Sequence, residues 1–120
     1  MNKPVRIILL GDADKSYKKL NEVVGEQLRE GKENTTEIQL LRSIKQKSDL
    51  IKANPFYGDN IEKKKVHKTP YEVKNLWRVE LTGYWRMLYT IKGDEVQIIC
   101  FILDIVDHKR YNKIFGYKKK

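Results

Sequence analysis

The sequence predicts an α+β domain in which two N-terminal helices pack on an antiparallel β-sheet and a short C-terminal helix follows the last strand. Apolar residues recur at spacings of three and four in the first half of the chain, and they alternate with other residues between positions 76 and 91. A chain of 120 residues that is 40% hydrophobic can bury one core without disulfides or a structural metal. We therefore expect one domain over residues 1–117, followed by a basic tail at 118–120.

The first strand and the first helix are predicted from the N-terminal residues. Val5 to Leu10 form a short apolar run that Gly11 ends, which is typical of a strand and a turn. Asp14 or Ser16 would then cap a helix that continues to Gly31. The apolar stripe of this helix would comprise Tyr17, Leu20, Val24 and Leu28.

A second amphipathic helix is predicted to end at Asn54-Pro55, because proline disfavours helix at the residue before it. Its capping pair would be either Asn34 with Glu37 or Thr36 with Gln39. Its apolar positions would be Ile38, Leu41, Ile44 and Ile51. Gly58 and residues 63–68 would form a polar connection to the sheet, with room for a short edge strand.

A β-hairpin is predicted from two alternating segments, residues 76–81 and 85–91. A three-residue loop between them would pair Val79 with Met87 and Leu81 with Trp85, and it would place the apolar residues of both strands on one face. A two-residue loop would mix the faces, so the pattern favours the longer turn. The opposite face would then present Arg78, Glu80 and Arg86.

The run from Val96 to Val106 is apolar at nearly every position, which indicates a central strand covered on both faces. Cys100 within it is expected to be an inert core residue. Asp107 would cap a last short helix before Gly116. That helix would contain His108, Tyr111, Ile114 and Phe115.

The charge of the chain favours an acidic partner. The formal net charge is +9, and residues 61–120 contribute +7 of it (14 basic minus 7 acidic), against +2 (11 minus 9) from residues 1–60. Such a field attracts polyanions, although charge alone does not choose among RNA, DNA, an anionic membrane and an acidic protein. Lysines can also serve only as solubilising surface residues.

Several classes of function are disfavoured by composition and motifs. The single cysteine excludes an internal disulfide, and the apolar run at 96–106 is interrupted by Gln97 and Asp104 and is too short to span a bilayer. No secretory leader pattern is present, so we expect a cytoplasmic protein. We also expect no cofactor and no metal, since the sequence has no phosphate-binding glycine loop and no clustered metal ligands.

The remaining chemistry is a set of cations and proton donors in the second half of the chain. RNA is cleaved when its 2′-hydroxyl attacks the adjacent phosphorus, which requires removal of a proton, stabilisation of extra negative charge and protonation of the leaving oxygen. Arginines bind phosphate oxygens, histidine and tyrosine exchange protons, and aromatic rings stack on bases. The candidates are Lys63, Lys64, Lys65, Lys68, Arg78, Arg86, His108 and Tyr111.

Four stretches resemble the RelE/ParE superfamily of toxins, and most closely its archaeal RelE-like members. They are 54–56, 75–79, 83–89 and 107–111, which read Asn-Pro-Phe, Asn-Leu-Trp-Arg-Val, Gly-Tyr-Trp-Arg-Met-Leu-Tyr and Asp-His-Lys-Arg-Tyr. The resemblance implies a RelE-like fold with two leading helices. It also implies the toxin component of a toxin-antitoxin system, a metal-independent endoribonuclease that cleaves messenger RNA on the ribosome and is silenced by a cognate antitoxin.

The resemblance also implies roles for particular residues. Arg86 and Arg78 match basic residues of the family hairpin, Tyr111 lies near its C-terminal tyrosine, and His108 resembles a histidine of some members. The segment 63–68 lies where other members have lysines that bind the ribosome and the scissile phosphate. The general base stays unassigned, since Glu72 and Glu80 are available but neither aligns with the glutamate of related toxins.

Simpler interpretations exist for each candidate. Arg86 could pair with Glu80 across the hairpin, His108 could bond to backbone, and Tyr111 could be a core aromatic. Trp77 and Trp85 are in phase with the apolar face and are expected in the core, while Tyr84 at the loop tip is the better candidate for an exposed aromatic that contacts RNA. His67 is not expected to have a role.

Two alternative functions share the same fold. ParE-like members are nonenzymatic toxins that inhibit DNA gyrase and lack the nuclease residues. An orphan RNA-binding domain would keep the fold without nuclease activity. The identity of the antitoxin, the codon preference and the oligomeric state do not follow from the sequence.

Overall fold

The computed structural model describes residues 3–116, which form four helices and one five-stranded sheet. The helices are α1 (Gly11–Arg29), α2 (Thr36–Ala53), α3 (Lys63–Val66) and α4 (His108–Ile114). The strands are β1 (Val5–Leu9), β2 (Asp59–Asn60), β3 (Trp77–Glu80), β4 (Arg86–Gly93) and β5 (Ile98–Val106). The predicted α+β class and element order are confirmed, and the expected polar connection at 63–68 contains the one-turn helix α3. The basic tail at 118–120 lies outside the described residues.

The sheet is mixed rather than wholly antiparallel. Its strand order is β1-β5-β4-β3-β2, and the strands from β2 to β5 pair in antiparallel fashion. Strand β1 instead pairs with β5 in parallel, with Val5 opposite Ile98. No hairpin connects these two strands, so no turn sets their relative direction. The short edge strand allowed by the sequence is β2, which pairs with β3.

The N-caps of α1 and α2 differ from the predicted ones. Helix α1 begins at Gly11, and Leu10 at its N-cap makes no side-chain bond, so neither Asp14 nor Ser16 is the cap. Asp14 lies in the first turn, where a carboxylate complements the helix dipole. The cap of α2 is Thr35, whose hydroxyl accepts a hydrogen bond from the Ile38 amide at 3.1 Å.

The main core lies between one face of the sheet and helices α1 and α2. Ile51 and Met87 are almost wholly buried there, and burying a side chain of this size stabilises a fold by about 1.5–3 kcal/mol. Trp77 and Trp85 pack against the same cluster, as expected. The other members include Leu40, Ile44, Val79, Tyr89, Cys100 and Ile102.

The hairpin has the predicted register. Val79 pairs with Met87, and the Leu81 amide donates to the Trp85 carbonyl at 2.7 Å across the loop 82–84. Glu80 lies opposite Arg86. The polar face of the hairpin therefore points away from α1 and α2, toward the other side of the sheet.

A second, smaller core covers that other side. It contains Leu88, Val106 and Tyr111, together with Ile61, Val66, Leu76 and Phe115. A β-bulge assists it, because Leu88 pairs with Asp104 whereas Tyr89 pairs with Ile102, which leaves Leu103 as an extra residue. The extra residue shifts the side-chain alternation, and Val106 faces α4 as a result.

Candidate functional site

Strands β3 and β4 present two arginines on the face of the sheet that α4 covers. Arg78 lies within β3, and Arg86 is the first residue of β4. The cap Asp107, whose carboxylate accepts from the Arg110 amide at 2.8 Å, begins α4 at the end of β5 as predicted. Helix α4 therefore places His108 and Tyr111 over the hairpin, and the structure brings the four predicted catalytic residues together.

Arg86 contacts both aromatic residues of α4. Its guanidinium carbon lies 4.3 Å from the centre of the Tyr111 ring, within the range of a cation–π contact. Its Nη1 lies 3.1 Å from His108 Nδ1. Guanidinium nitrogens only donate, so His108 Nδ1 accepts in this contact. On the other edge of the ring, Asn112 Nδ2 lies 3.2 Å from His108 Nε2.

Arg78 is held by a phenol and a carboxylate. Its Nη1 donates to the Tyr111 hydroxyl at 2.7 Å, and its Nη2 lies 3.4 Å from Asp59 Oδ2. Burial opposes the charge of Arg78, but the contacts with Tyr111 and Asp59 outweigh burial and raise its pKa above the usual arginine value. Arg78 is therefore a permanently charged group at the centre of the site.

Both arginines are incompletely satisfied. Within residues 3–116, the buried Nε atoms of Arg78 and Arg86 have no hydrogen-bond partner. An unsatisfied buried donor costs about 1–3 kcal/mol, and such groups are uncommon in folded proteins. These two donors lie on adjacent strands, and the indole Nε1 of Trp77 is also buried without a partner in this range.

Tyr111 is both a core aromatic and a member of the polar cluster, so the two sequence-based interpretations of this residue both apply. Its ring is buried against Phe115, with ring centres 4.6 Å apart, so it is a core aromatic. Its hydroxyl nevertheless reaches Arg78, and the residue lines a hollow of about 200 Å³. The hollow is lined by Asn60, Ile61, Glu62, Lys65, Arg78, Tyr111 and Phe115.

The structure separates the four predicted lysines. Lys65 lines the hollow beside Arg78. Lys63 and Lys64 are exposed, and Lys64 forms an ion pair with Glu62 at 3.6 Å. Lys68 lies in a different depression, with Arg110 and Lys113. One lysine of the four therefore borders the arginine cluster.

Tyr84 extends the site along the hairpin turn. It is 78% exposed, as expected of the loop tip, and its ring centre lies 6.2 Å from that of His108. The row of functional groups thus runs from Lys65 through Arg78, Tyr111, Arg86 and His108 to Tyr84.

The carboxylates near the site do not make the contacts that the sequence suggested. Glu80 lies opposite Arg86 in the register, yet no ion pair joins them in the part of the chain that the structure describes. Glu72 and His67 line a separate depression, away from the arginines. Asp59, which pairs with Arg78, was not predicted, because only the pairing of β2 with β3 places it there.

A second carboxylate that the sequence analysis did not identify, that of Asp104, connects α4 to the sheet. Asp104 is 3% exposed, accepts from the Tyr71 hydroxyl at 2.8 Å, and lies 3.5 Å from Arg110 Nη2. Burial, and then the bond to Asp104, raise the pKa of Tyr71 well above its usual value. An aspartate inside an apolar run was the available signal for such a buried network.

Across residues 3–116, no group of three or more metal-binding side chains is arranged to hold an ion. No helix within that range is long and apolar enough to cross a membrane.

The fold and the site define a small α+β domain that presents arginines, a tyrosine and a histidine on one face of its sheet. Solved structures that share this fold include those of two toxins. The YoeB/ParE toxin from Agrobacterium tumefaciens has a TM-score of 0.58 at 12% sequence identity, with 86% of this chain and 98% of that chain covered. An arginine-to-alanine double mutant of the E. coli toxin RelE, in the free state, has a TM-score of 0.50 at 13% identity, with 94% and 96% covered.

These similarities confirm the predicted RelE-like fold. No protein-family model matches the sequence, and no curated protein matches it. Neither structural neighbour is archaeal, so the expected closeness to archaeal members stays a prediction.

Proposed function

We propose that this protein is the toxin of a toxin-antitoxin system and acts as a metal-independent endoribonuclease on ribosome-bound messenger RNA. The observation that carries the proposal is the convergence of Arg78, Arg86, His108 and Tyr111 on one side of the hairpin. The fold shared with the RelE and YoeB/ParE toxins supports it. The expected partners are the ribosome, messenger RNA and an antitoxin protein.

The reaction needs only groups that this chain carries. The 2′-oxygen of the substrate loses its proton and bonds to the adjacent phosphorus, the bond from phosphorus to the 5′-oxygen breaks, and the 5′-oxygen gains a proton. The products are a 2′,3′-cyclic phosphate and a 5′-hydroxyl. Charge develops on the phosphoryl oxygens, where preorganised cations stabilise the transition state most strongly.

Arg86 and Arg78 would bind the non-bridging oxygens. Arginine suits this role because its donors form a rigid fork that matches two phosphate oxygens. Arg86 is held by the face of the Tyr111 ring, and Arg78 by the Tyr111 hydroxyl. Tyr111 thus keeps the two guanidinium groups in a defined mutual position, which avoids reorganisation during the reaction.

His108 and Tyr111 would take part in proton transfer. His108 would protonate the leaving 5′-oxygen. The bond from Arg78 uses a lone pair of the Tyr111 oxygen and not its hydrogen, so the hydroxyl could donate to a phosphoryl oxygen. Glu80 follows Arg78 on β3 by two residues and so lies on the same face, which makes it our candidate for removal of the 2′-hydroxyl proton.

The lysines would supply phosphate affinity rather than chemistry. Lys65 borders the hollow beside Arg78, whereas Lys63 and Lys64 are exposed and Lys68 lines a different depression. Each phosphate contact releases counterions, so binding to RNA should weaken steeply as salt is added.

A nonenzymatic toxin of the ParE kind, or an orphan RNA-binding domain, is the second candidate. The ion pair of Arg78 with Asp59 and the burial of Tyr111 favour it, because both contacts would also be made in a purely structural cluster. Such a protein would not need the four residues to transfer protons or to stabilise a transition state.

Primer extension on a messenger translated in a purified ribosome system tests the proposal. We expect wild type to cut within the ribosomal A site and to leave 2′,3′-cyclic phosphate ends. Arg86→Ala should fold and lose the cuts, whereas Arg42→Ala, an exposed arginine on α2, should keep them. A folded wild-type protein that makes no cuts would contradict the proposal and favour the nonenzymatic candidate.

A further inference from the structure

The turn between β3 and β4 holds a tyrosine in a backbone conformation that tyrosine rarely adopts. Gly83 has φ 68° and Tyr84 has φ 63°, and Tyr84 is the one non-glycine residue with a positive φ within residues 3–116. Steric contact of Cβ with the backbone disfavours this region, and glycine or asparagine adopts it more easily. A tyrosine at position 84 is therefore less favourable for this backbone conformation than glycine or asparagine would be.

Packing does not explain this tyrosine. Tyr84 is 78% exposed, so its ring gains little from burial. Its ring contact is with His108, at 6.2 Å between centres and an angle of 59° between the planes. A strained residue that returns little stability is a reason to examine function.

The position of the ring suggests its use. His108 Nδ1 lies 3.1 Å from Arg86 Nη1. The imidazole of His108 therefore lies between the exposed ring of Tyr84 and Arg86, the proposed phosphate-binding cation. Tyr84 and His108, which are tilted toward each other, form an open aromatic corner beside that cation. A nucleotide has the matching chemistry, since it joins a flat base to a phosphate.

We propose that Tyr84 is a base-stacking residue, and that the strained turn presents its ring to an unpaired nucleobase while the attached phosphate binds Arg86. The inference rests on the proposed function, because it requires single-stranded RNA at the arginine cluster. The stacking contact with Tyr84 would fix the position of one base. The phosphate attached to that base would then be fixed relative to Arg86.

A binding experiment with a defined probe tests the stacking. The probe is a fluorescently labelled, 2′-O-methylated oligoribonucleotide, which cannot be cleaved because its 2′-oxygen is blocked, and a matched series carries one abasic position at a time. We expect Tyr84→Gly and Tyr84→Asn to weaken binding about 5- to 100-fold, the range for one base on one aromatic ring, and Tyr84→Phe to bind like wild type. Leu28→Ala, at an exposed position on α1, is the control and should bind like wild type.

The abasic series identifies the cause of any loss. At one position, removal of the base should weaken wild type to the affinity of Tyr84→Gly and leave Tyr84→Gly itself unchanged. Thermal unfolding provides the second readout, and Tyr84→Gly and Tyr84→Asn should melt no lower than wild type because the backbone strain is relieved. Together these results would support the stacking role.

Three results would overturn the inference. The first is equal affinity of wild type and Tyr84→Gly, the second is a loss that no abasic position abolishes, and the third is a lower melting temperature of both strain-relieving variants. Failure of the proposed function would look different. If wild type shows the abasic coupling but makes no cuts on the ribosome, the stacking role stands and the nuclease role does not.

Discussion

The Tyr111 hydroxyl accepts a hydrogen bond from Arg78 Nη1 at 2.7 Å, which connects helix α4 to strand β3. We expect Tyr111→Phe to lower the free energy of unfolding by about 1.5–3 kcal/mol, the range for a hydrogen bond to a charged group. Urea unfolding of wild type and variant measures this loss of stability. Tyr17→Phe is the control, since no hydrogen bond to the Tyr17 hydroxyl occurs within residues 3–116. An equal effect of the two substitutions would mean that the contact contributes nothing.

Arg86 should not be replaceable by lysine. Lysine has one ammonium group and cannot both lie flat over the Tyr111 ring and donate to His108. If the nuclease proposal holds, we expect Arg86→Lys to fold normally and to lower kcat by roughly 10²–10³, the usual loss when one group that stabilises transition-state charge is removed. Single-turnover cleavage on programmed ribosomes measures this, with Arg42→Lys as the control. Full activity of Arg86→Lys would show that only charge is needed there.

Removal of the Asp104 carboxylate should loosen α4. The buried carboxylate accepts from Tyr71 and lies near Arg110, so Asp104→Ala leaves the Tyr71 hydroxyl without this partner. We expect a loss of about 1–3 kcal/mol in the free energy of unfolding. Tyr71→Phe in the same chain should recover part of that loss. Strictly additive effects of the two substitutions would contradict the proposed coupling.

The stability of the protein should fall at high pH through Cys100. Burial raises the pKa of the Cys100 thiol to about 11, above its ordinary value of 9.0. The folded state therefore favours the protonated thiol, and this contribution is complete below pH 9 and is lost as pH rises toward 11. Unfolding free energies at pH 8 and pH 10.5 measure the fall. Cys100→Ala should show a smaller fall over that interval, and an equal fall would exclude Cys100 as a cause.

Gly58→Ala should disturb the backbone that holds Arg78. A Cβ at Gly58 would lie 2.7 Å from the Arg78 carbonyl oxygen and 2.8 Å from the Tyr89 hydroxyl, which accepts from the Gly58 amide at 3.0 Å. We expect a loss of about 1–3 kcal/mol in unfolding free energy, as for other overpacked sites. Gly25→Ala, within α1, has space for its methyl group and should instead raise stability by up to about 1 kcal/mol. Equal stability of the Gly58 and Gly25 variants would refute the steric argument.

Local periodicity was sufficient for the elements that depend on neighbouring residues. The two-residue alternation at 76–91 predicted the pairing of Val79 with Met87, because a shift of one residue would have turned the apolar side chains to the other face. The continuous apolar run predicted that β5 is central, and Asp107 predicted the start of α4. The helix starts at Gly11 and Thr36 were displaced from the predicted ones, since several polar residues near each start could serve as a cap.

The sequence by itself therefore determined the class of fold, the hairpin register and the residue types available to the site, because each of these follows from local pattern and composition. Only the tertiary structure decided the parallel direction of β1, the ion pair of Asp59 with Arg78, and the placement of Tyr111 between the two arginines. Those features join residues that are far apart in the chain, and the contact of Arg78 with Tyr111 spans 33 positions. Packing of α4 over the sheet, assisted by the bulge at Leu103, creates that contact, and no local pattern encodes it.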